Sequence, residues 1–267
     1  SVPFILYLCS GVRRPGDMGS LADNSDTLLI LVDTKLGGGR HDLSKSSVTD
    51  DLCVLASNPL CVGIMASFPC RTWCAGRFKQ PGPPVLRTRG KFAMALPNLS
   101  DKDNLDVQTA NAIVSNGTRV LRAGCENIST FAGGVPCMVE CPVPRSKHDA
   151  FTKEQAIDGR EAHAAMTTHK ELSKFITDFK LKAEWFDGCA LGHTTQKTTQ
   201  LVCSVNILPH VQARFGHLRC THQHNNNGSI RWQGDPGGGP EGLYSCAAGA
   251  KIGASQPESR ALQPKIQ

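Results

Sequence analysis

A cysteine that follows a proline at the end of an apolar run is the first feature of this chain that could do chemistry. The run Leu60–Phe68 has the length and the bounding residues of a buried strand, and Pro69 and Cys70 follow it directly. Because ligands in open α/β sheets bind at the carboxyl ends of strands, Cys70 is placed to act as a thiolate nucleophile. The same pattern also fits an inert thiol that only packs against its neighbours, and both interpretations stay open.

The loop after Cys70 carries positive charge and no negative charge. Such a run predicts either an exposed contact with the phosphate backbone of a nucleic acid or an ordinary solvated face. The formal charge of the whole chain, +6, is compatible with a polyanionic partner but does not require one. The loop is rich in Gly and Pro, and its basic residues are Arg71, Arg77, Lys79, Arg87, Arg89 and Lys91.

A second group of residues has side chains suited to zinc. Cys220, His222 and His224 alternate along the chain, so that on a strand they would point to one face. Their spacing is not that of a known zinc finger, and an edge strand with polar residues outward gives the same pattern. We therefore predict no metal site and keep these three residues as the alternative.

Strands and helices that alternate along the chain must position these residues. Together they predict a three-layer α/β fold with a doubly wound, mostly parallel sheet and a late antiparallel strand pair. Apolar runs predict strands at 3–9, 27–33, 60–68, 183–189 and 199–207, and a short one at 124–129. Helical spacing predicts helices at 104–123, with Gly124 as the stop, and at 152–166 and 169–182.

Composition sets the class of protein and the compartment that we expect. Hydrophobic residues make up 40% of the chain and aromatic residues only 6%, which disfavours both disorder and an aromatic-rich β sandwich. We expect one domain over residues 1–224 and a loosely ordered, Gly/Pro-rich tail over 225–267. The cysteines are scattered through strands, which favours a reducing intracellular compartment. We expect no transmembrane segment, and the missing initiator Met is compatible with a processed, organellar chain.

Five stretches in order along the chain carry a resemblance to a known family. They are "YLCSG", the strand that ends in Asp33, "FPCRTWC", "CENIS" and "DGCALGHTTQKTTQLVCSV". This series resembles the motifs of cytosine-5 DNA methyltransferases and, more closely, methyltransferase-like proteins carried by retroelements of algae and other protists. The resemblance covers roughly residues 4 to 250. It implies a Rossmann-like class I methyltransferase fold, S-adenosylmethionine as cofactor and DNA as the partner.

The resemblance also implies roles for individual residues. Cys70 would attack carbon 6 of a cytosine turned out of the helix, and Glu126 would hold and protonate the base at nitrogen 3. Adjacent strand ends would then bring Cys70 and Glu126 close together. The residues that it implies for the cofactor are Ser10, Gly11, Asp33, Asp42 and Pro69, with Asp33 on the ribose hydroxyls and Asp42 near the adenine.

The chain departs from the family pattern in ways that bear on activity. Gln196, Thr198 and Gln200 stand where the family has Gln, Arg and Arg, so the arginine that would contact the cytosine carbonyl is absent. Arg13 and Arg14 stand where the cofactor turn usually has glycine. We therefore expect weak or absent methyl transfer. The alternative is a non-catalytic structural or binding subunit that reuses the fold and has protein partners in a larger assembly.

Overall fold

One six-stranded sheet organises the α/β fold of the chain. The computed structural model describes residues 1–13, 17–18, 23, 25–78, 83–127, 134–143, 163–191, 198–219, 230–231 and 245–246. The strands of the sheet are β1 (Phe4–Leu8), β2 (Leu28–Val32), β3 (Cys61–Ser67), β4 (Cys137–Pro142), β5 (Lys182–Asp187) and β6 (Thr198–Cys203). Their order across the sheet is β2-β1-β3-β4-β6-β5.

The sheet is mostly parallel, as predicted. Strands β2, β1, β3 and β4 pair in parallel, and β6 pairs antiparallel with both β4 and β5. The predicted late antiparallel pair is therefore confirmed as β5 and β6. Because β2 and β3 flank β1 on opposite sides, the strand order reverses between β1 and β3, which is the kind of point where open sheets bind ligands.

Helices lie on both faces of this sheet. They are α1 (Thr34–Gly37), α2 (Ser46–Ala56), α3 (Asp101–Glu126), α4 (Lys170–Asp178) and α5 (Leu208–Phe215). The neighbours Leu201 and Val202 on β6 point to opposite faces. Val202 belongs to the main core with residues of α2, α3 and α4, whereas Leu201 packs with Val211 of α5. Two further short strands, β7 (Ile230–Arg231) and β8 (Ser245–Cys246), pair with each other.

The long helix α3 crosses the sheet from one edge to the other, and two glycines let it lie close to β3. A Cβ at Gly117 would lie 2.2 Å from the ring of Phe68, and one at Gly124 would lie 2.2 Å from Cδ1 of Ile64. The helix begins after Ser100, whose hydroxyl accepts a hydrogen bond from the backbone of Asp103, the usual N-cap arrangement. Gly124 therefore serves packing, and the prediction that it ends the helix is wrong.

Other predicted elements also need correction. Residues 124–126 are the last turn of α3, so the predicted strand at 124–129 is wrong over these residues. In the six-stranded sheet the prediction missed β4, which begins at Cys137, and it also missed the two-residue strands β7 and β8. Most of the helix predicted at 152–166 lies outside the described residues, but 163–165 are irregular and Met166–Thr168 is a 3-10 turn. The helix predicted at 169–182 ends at Asp178, and Lys182 already begins β5.

Candidate functional site

The carboxyl ends of β1, β2, β3 and β4 meet at one edge of the sheet. At this edge lie the turn after β1, the Asp33 that closes β2, and the Pro-Cys pair that follows β3. Because β6 runs in the opposite direction, its first residues, from Thr198, lie at the same edge. Every strand of the sheet thus contributes a strand end to this edge, and the strand order reverses there between β1 and β3, the kind of point where open sheets bind ligands.

The turn after β1 is tied to the end of β2 by the carboxylate of Asp33. The backbone N–H of Gly11 donates to Asp33 Oδ2 at 2.9 Å, and the backbone N–H of Lys35 donates to Asp33 Oδ1 at 2.9 Å. Cys9 and Gly11 both have positive φ, 53° and 72°, so the chain turns sharply at this point. Burial raises the pKa of the Cys9 thiol to about 12, and the nearby Asp33 acts in the same direction.

Three of the residues implied for the cofactor therefore come together, namely Ser10, Gly11 and Asp33. The backbone N–H of Ser10 also donates to the carbonyl of Val32 at 3.4 Å. Arg13 does not close over this turn, since its guanidinium pairs with Asp17 and Asp23 and stays 45% exposed.

The other two residues implied for the cofactor have different surroundings. The carboxylate of Asp42 accepts hydrogen bonds from the hydroxyl and the backbone N–H of Ser44, at 2.7 and 3.0 Å. The bond from the Ser44 hydroxyl is the largest cause that lowers the pKa of Asp42. Asp42 thus holds the turn before α2, one residue after His41, whose ring contacts the backbone of Asp33. Pro69 is exposed at the end of β3.

Cys70 is half-buried at the start of a loop that is anchored to the core. Its side chain packs against the main core cluster, and its carbonyl accepts from the backbone N–H of Trp73 at 2.8 Å. The preceding Phe68 is buried against α3 at Gly117. Cys70 therefore lies between two buried aromatic side chains, Phe68 and Trp73.

Glu126 lies at the opposite edge of the sheet from Cys70, so the expectation that these two side chains meet is wrong. The first turns of α3 lie beside the Cys70 loop, where Arg71 and Asp106 form an ion pair at 3.4 Å. Glu126 is twenty residues further along the same helix, which corresponds to about 30 Å at 1.5 Å per residue. There its side chain, 59% exposed, pairs with Arg122 at 3.7 Å.

The carboxyl group of Glu140, which the sequence patterns did not predict as a site residue, lies near the end of β4, at the same edge of the sheet as Cys70. Glu140 on β4 is in register with Ser67 on β3, and the Ser67 hydroxyl donates to Glu140 Oε2 at 2.8 Å. Cys70 follows Ser67 by three residues. The thiol of Cys141, next in sequence to Glu140, has its pKa raised by burial first and then by the charges of Glu140 and Cys70.

A sequence signal for Glu140 existed in the segment Cys137–Pro142. The segment has the length of a strand and is apolar except for Glu140, and it ends in a proline, as a proline follows the run before Cys70. In the folded strand Glu140 takes one of the half-buried positions, which alternate with buried ones. The prediction missed it because the family pattern directed attention to the Glu-Asn pair at Glu126.

The loop after Cys70 that carries the basic residues 71–91, called here the basic loop, is only partly exposed. This corrects the expectation that all of its basic side chains could contact a phosphate backbone. Arg77 and Arg87 are buried, at 5% and 2% exposure, and their guanidinium groups donate to groups inside the loop and on α3. Arg77 donates to the carbonyls of Arg71 and Pro84 at 2.8 and 2.7 Å. Arg87 donates to Thr72 and Asn111 at 2.8 and 2.7 Å. These two residues fold the loop and are not available to a phosphate.

The remaining basic residues of the loop include three that are exposed. Arg71, Arg89 and Lys91 lie on the surface, and Lys79 lies outside the described residues. The ammonium group of Lys91 lies 4.8 Å from the ring centroid of Phe92. An anionic partner of this loop would therefore meet Arg71, Arg89 and Lys91.

The start of β6 closes the other side of the edge with uncharged side chains. The hydroxyl of Thr198 donates to Asp187 Oδ1, and both residues are buried. Gln200 is in register with Cys141, whose thiol lies 4.0 Å from the Gln200 amide oxygen. Gln196 lies outside the described residues. At this side of the site, Gln200 offers an amide and no charge.

Metal sites and other cavities add little to this edge. Within the part of the chain that the structure describes, no cluster of three or more His, Cys, Asp or Glu side chains is suited to a metal ion. The candidates Cys220, His222 and His224 lie outside that part. A concavity of about 580 Å³ is lined by the amino-terminal residues and by residues 25–29, away from Cys70.

Comparisons with known proteins do not assign the chain to a family. Neither a scan against protein-family models nor a search of the curated proteins finds a match. Among the described helices, none combines the length and the apolar character that crossing a membrane requires.

Proposed function

We propose that the chain is an S-adenosylmethionine-dependent, methyltransferase-like protein related to the DNA cytosine-5 methyltransferases, with weak or no transfer to duplex DNA. One observation carries this proposal. The turn held by Asp33 lies at the same edge of the sheet as Cys70 and Glu140, and the strand order reverses between the turn and these two residues. The late antiparallel strand is compatible with the class I methyltransferase fold that the resemblance implies.

The residues at the ends of β1 and β2 fit the proposed cofactor. Each oxygen of the Asp33 carboxylate accepts one backbone N–H, and a carboxylate oxygen has a second lone pair for a ribose hydroxyl. A Cβ at Gly11 would meet nothing within 4 Å, so the backbone of the turn is open to a ligand. When bound, S-adenosylmethionine supplies an electrophilic methyl group.

In the proposed reaction, the protein residues carry out addition of a thiolate to the cytosine base. The Cys70 thiolate forms a bond to carbon 6 of a cytosine, and the electron pair of the ring double bond moves towards carbon 5 and nitrogen 3. A protonated carboxyl that hydrogen-bonds to nitrogen 3 stabilises this charge. We assign that carboxyl to Glu140 in place of Glu126, because Glu140 lies at the same edge of the sheet as Cys70, whereas Glu126 lies at the opposite edge. Elimination of the thiolate restores the ring.

We propose that methyl transfer is weak because of the side chains at the start of β6. A base that is to be attacked must be held by its carbonyl oxygen, and a charged, bidentate donor does this best. Thr198 is already bound to Asp187, and Gln200 carries no charge. These observations also favour the second candidate function, a non-catalytic subunit of a larger assembly that keeps the fold.

Calorimetric titration with S-adenosylmethionine distinguishes the two functions. The first predicts saturable binding that is lost in Asp33→Ala and kept in Asp26→Ala, a control acid in the loop before β2. Absence of binding to the natural chain would overturn the first function and leave the second.

Methyl transfer from labelled cofactor to mixed-sequence duplex DNA is expected to be weak or absent. Robust transfer that disappears in Cys70→Ala would show that the loss of the family arginine matters little.

A further inference from the structure

The two outermost strands of the six-stranded sheet, β5 and β2, differ in what covers their outer sides. The outer side of β5 is covered by the chain that follows α5. There the backbone N–H of Asp187 donates to the carbonyl of Leu218 at 3.0 Å, and the guanidinium of Arg219 donates to the carbonyl of Trp185. Strand β5 also contains charged residues, which protect an outermost strand against pairing with another chain.

The outer side of β2 has none of these protections among the described residues. The strand has the sequence LLILV, without a charge, a proline or a glycine, and it pairs only with β1. Its first residue, Leu28, is 56% exposed. An outermost strand that is apolar and uncharged is a template on which another strand can pair.

The backbone groups that point outwards from β2 belong to Leu29 and Leu31. The N–H of Leu28 donates to the carbonyl of Pro3 at 2.9 Å, and the carbonyl of Val32 accepts from the turn after β1 at 3.4 Å. Because alternate residues of a parallel strand bond to the same neighbour, the N–H and C=O groups of Leu29 and Leu31 point away from β1. In the part of the chain that the structure describes, nothing bonds to these outward groups.

The residues at the two ends of β2 limit where a further strand can pair. The backbone N–H of Thr27 already donates to Ser25 Oγ at 3.3 Å, and that of Asp33 donates to Nδ1 of His41 at 3.4 Å. A further strand therefore has only the N–H and C=O groups between these two ends to bond with.

A second copy of β2 satisfies these outward groups by itself. When two copies run antiparallel about a twofold axis at Ile30, Leu29 of each copy lies opposite Leu31 of the other, and each pair exchanges two hydrogen bonds. The remaining side-chain pairs are also apolar, because Leu28 then faces Val32 and Ile30 faces Ile30. The strand is thus complementary to itself in the register centred on Ile30.

The charges that flank β2 favour a second copy over an unrelated strand. Asp26 precedes the strand, Lys35 and Arg40 follow it, and all three residues are exposed. Antiparallel pairing places the amino end of one copy beside the carboxyl end of the other, so the acid of each copy lies on the same side as the bases of the other. The carboxylate of Asp33 is turned to the backbone N–H groups of Gly11 and Lys35 and leaves this complementarity in place.

We propose that two copies of the chain associate through antiparallel β2 strands, so that their six-stranded sheets form one continuous sheet. This interface is independent of the proposed function, since it uses neither Cys70 nor the carboxylate of Asp33. Sedimentation equilibrium tests the association. The average mass of the natural chain should rise from one chain towards two as its concentration increases to about 100 µM, and a mass of one chain throughout would overturn the proposal.

Two matched variants test the register. Leu29→Lys with Leu31→Lys places like charges opposite each other in both pairs and should abolish the association. Leu29→Lys with Leu31→Glu changes the same two positions but places opposite charges in both pairs, and it should associate, more strongly at low salt. Association of the first variant would overturn the proposal.

Hydrogen exchange in the natural chain decides the case in which both variants are monomeric. The N–H groups of Leu29 and Leu31 should exchange about tenfold more slowly in the associated protein than in the monomer, whereas that of Ile30, which faces β1, should be protected in both. Nuclear magnetic resonance measures these rates residue by residue. Equal rates for Leu29 and Leu31 in the two states would overturn the proposal. Protection of both groups in the monomer would also overturn it, because another segment of the same chain would then cover β2.

Discussion

The guanidinium carbon of Arg87 lies 3.5 Å from the centroid of the Trp73 ring, and both side chains are buried. Around this stack the guanidinium donates to Thr72, to Asn111 and to the carbonyl of Met94, at 2.8, 2.7 and 3.1 Å. Burial lowers the pKa of Arg87, and the charge of Arg77 acts in the same direction, yet an arginine remains protonated at neutral pH. Arg87 thus holds the loop after Cys70 to helix α3.

Arg87→Ala is therefore expected to destabilise the protein. The substitution leaves Thr72, Asn111 and several carbonyls without their donor and opens a cavity beside Trp73. We expect the free energy of unfolding to fall by about 3 kcal/mol, measured by urea unfolding at constant slope. Arg89→Ala is the matched control, since Arg89 is exposed two residues away, and should change the free energy of unfolding by less than about 0.5 kcal/mol. Equal midpoints for the two variants would contradict the role given to Arg87.

The buried ring of His169 makes stability depend on pH. Burial lowers the pKa of His169 from 6.5 to about 4, and the charge of Arg87 acts in the same direction. Between about pH 4 and 6.5 the unfolded chain binds a proton at this ring and the native chain does not. The stabilisation is therefore complete above pH 6.5 and is lost as the pH falls towards 4, by about 3 kcal/mol at most.

The pH dependence is measured by urea unfolding at several pH values. His169→Gln should unfold more easily at pH 7 and should show a flatter rise in the free energy of unfolding between pH 4 and 6.5. His210→Gln, at an exposed position on α5, should keep the steep rise of the natural chain. An equally steep rise in His169→Gln would assign the pH dependence to other groups.

Sequence patterns predicted the strands better than the residues between them. The first three strands are short apolar runs bounded by turn residues, and each was predicted to within two residues at its ends. Strand β4 was missed because Glu140 interrupts its apolar run. The end of α3 was misplaced because glycine was interpreted as a stop, whereas Gly124 lies against Ile64. Close approach of a helix to a strand is a tertiary effect that sequence spacing does not contain.

The candidate site was predicted in position but not in all of its members. Strand ends placed Cys70, Asp33 and Gly11 at one edge, because the carboxyl ends of parallel strands share an edge. The acid was misassigned to Glu126, since its identification depended on a short motif rather than on an element. The burial of Arg77 and Arg87 was also not predictable, because the carbonyls that they bind are brought together only by the folded loop.

The three exposed basic residues of the loop are expected to carry the electrostatic part of DNA binding. Neutralising Arg71, Arg89 and Lys91 to alanine together should weaken binding to mixed-sequence duplex DNA and flatten its dependence on salt. Each lost phosphate contact reduces the slope of log K against log salt by about 0.9, so the triple variant loses up to about 3. The slope is measured by fluorescence anisotropy at several salt concentrations.

Exposed basic residues at the opposite edge of the sheet provide the control. Lys174 pairs with Asp178, which also pairs with Arg122 near the end of α3, and Lys182 lies in register with Cys203, the last residue of β6. Lys180 is exposed between them, so Lys174, Lys180 and Lys182 form the control set. Their replacement by alanine removes the same formal charge and should leave the slope within about 1 of the natural value. Equal losses of slope in the two triple variants would indicate that DNA responds to the net charge of the protein and not to this loop. Absence of DNA binding by the natural chain would assign the loop to a contact with another protein.

The two glutamates at opposite edges of the sheet give the sharpest test of the site. Release of tritium from cytosine labelled at carbon 5 in single-stranded DNA measures addition of the Cys70 thiolate, and this step does not need the cofactor. We expect Glu140→Gln to slow the release by about 100-fold, the usual contribution of a positioned acid, towards the background set by Cys70→Ala. Glu126→Gln should release tritium at the natural rate, because its carboxylate pairs with Arg122 about 30 Å along α3 from the Cys70 loop. Both variants remove one negative charge, so a difference between them reports position rather than net charge. Loss of release in Glu126→Gln with retention in Glu140→Gln would return the acid to the position that the motif suggested and would contradict the site described by the fold.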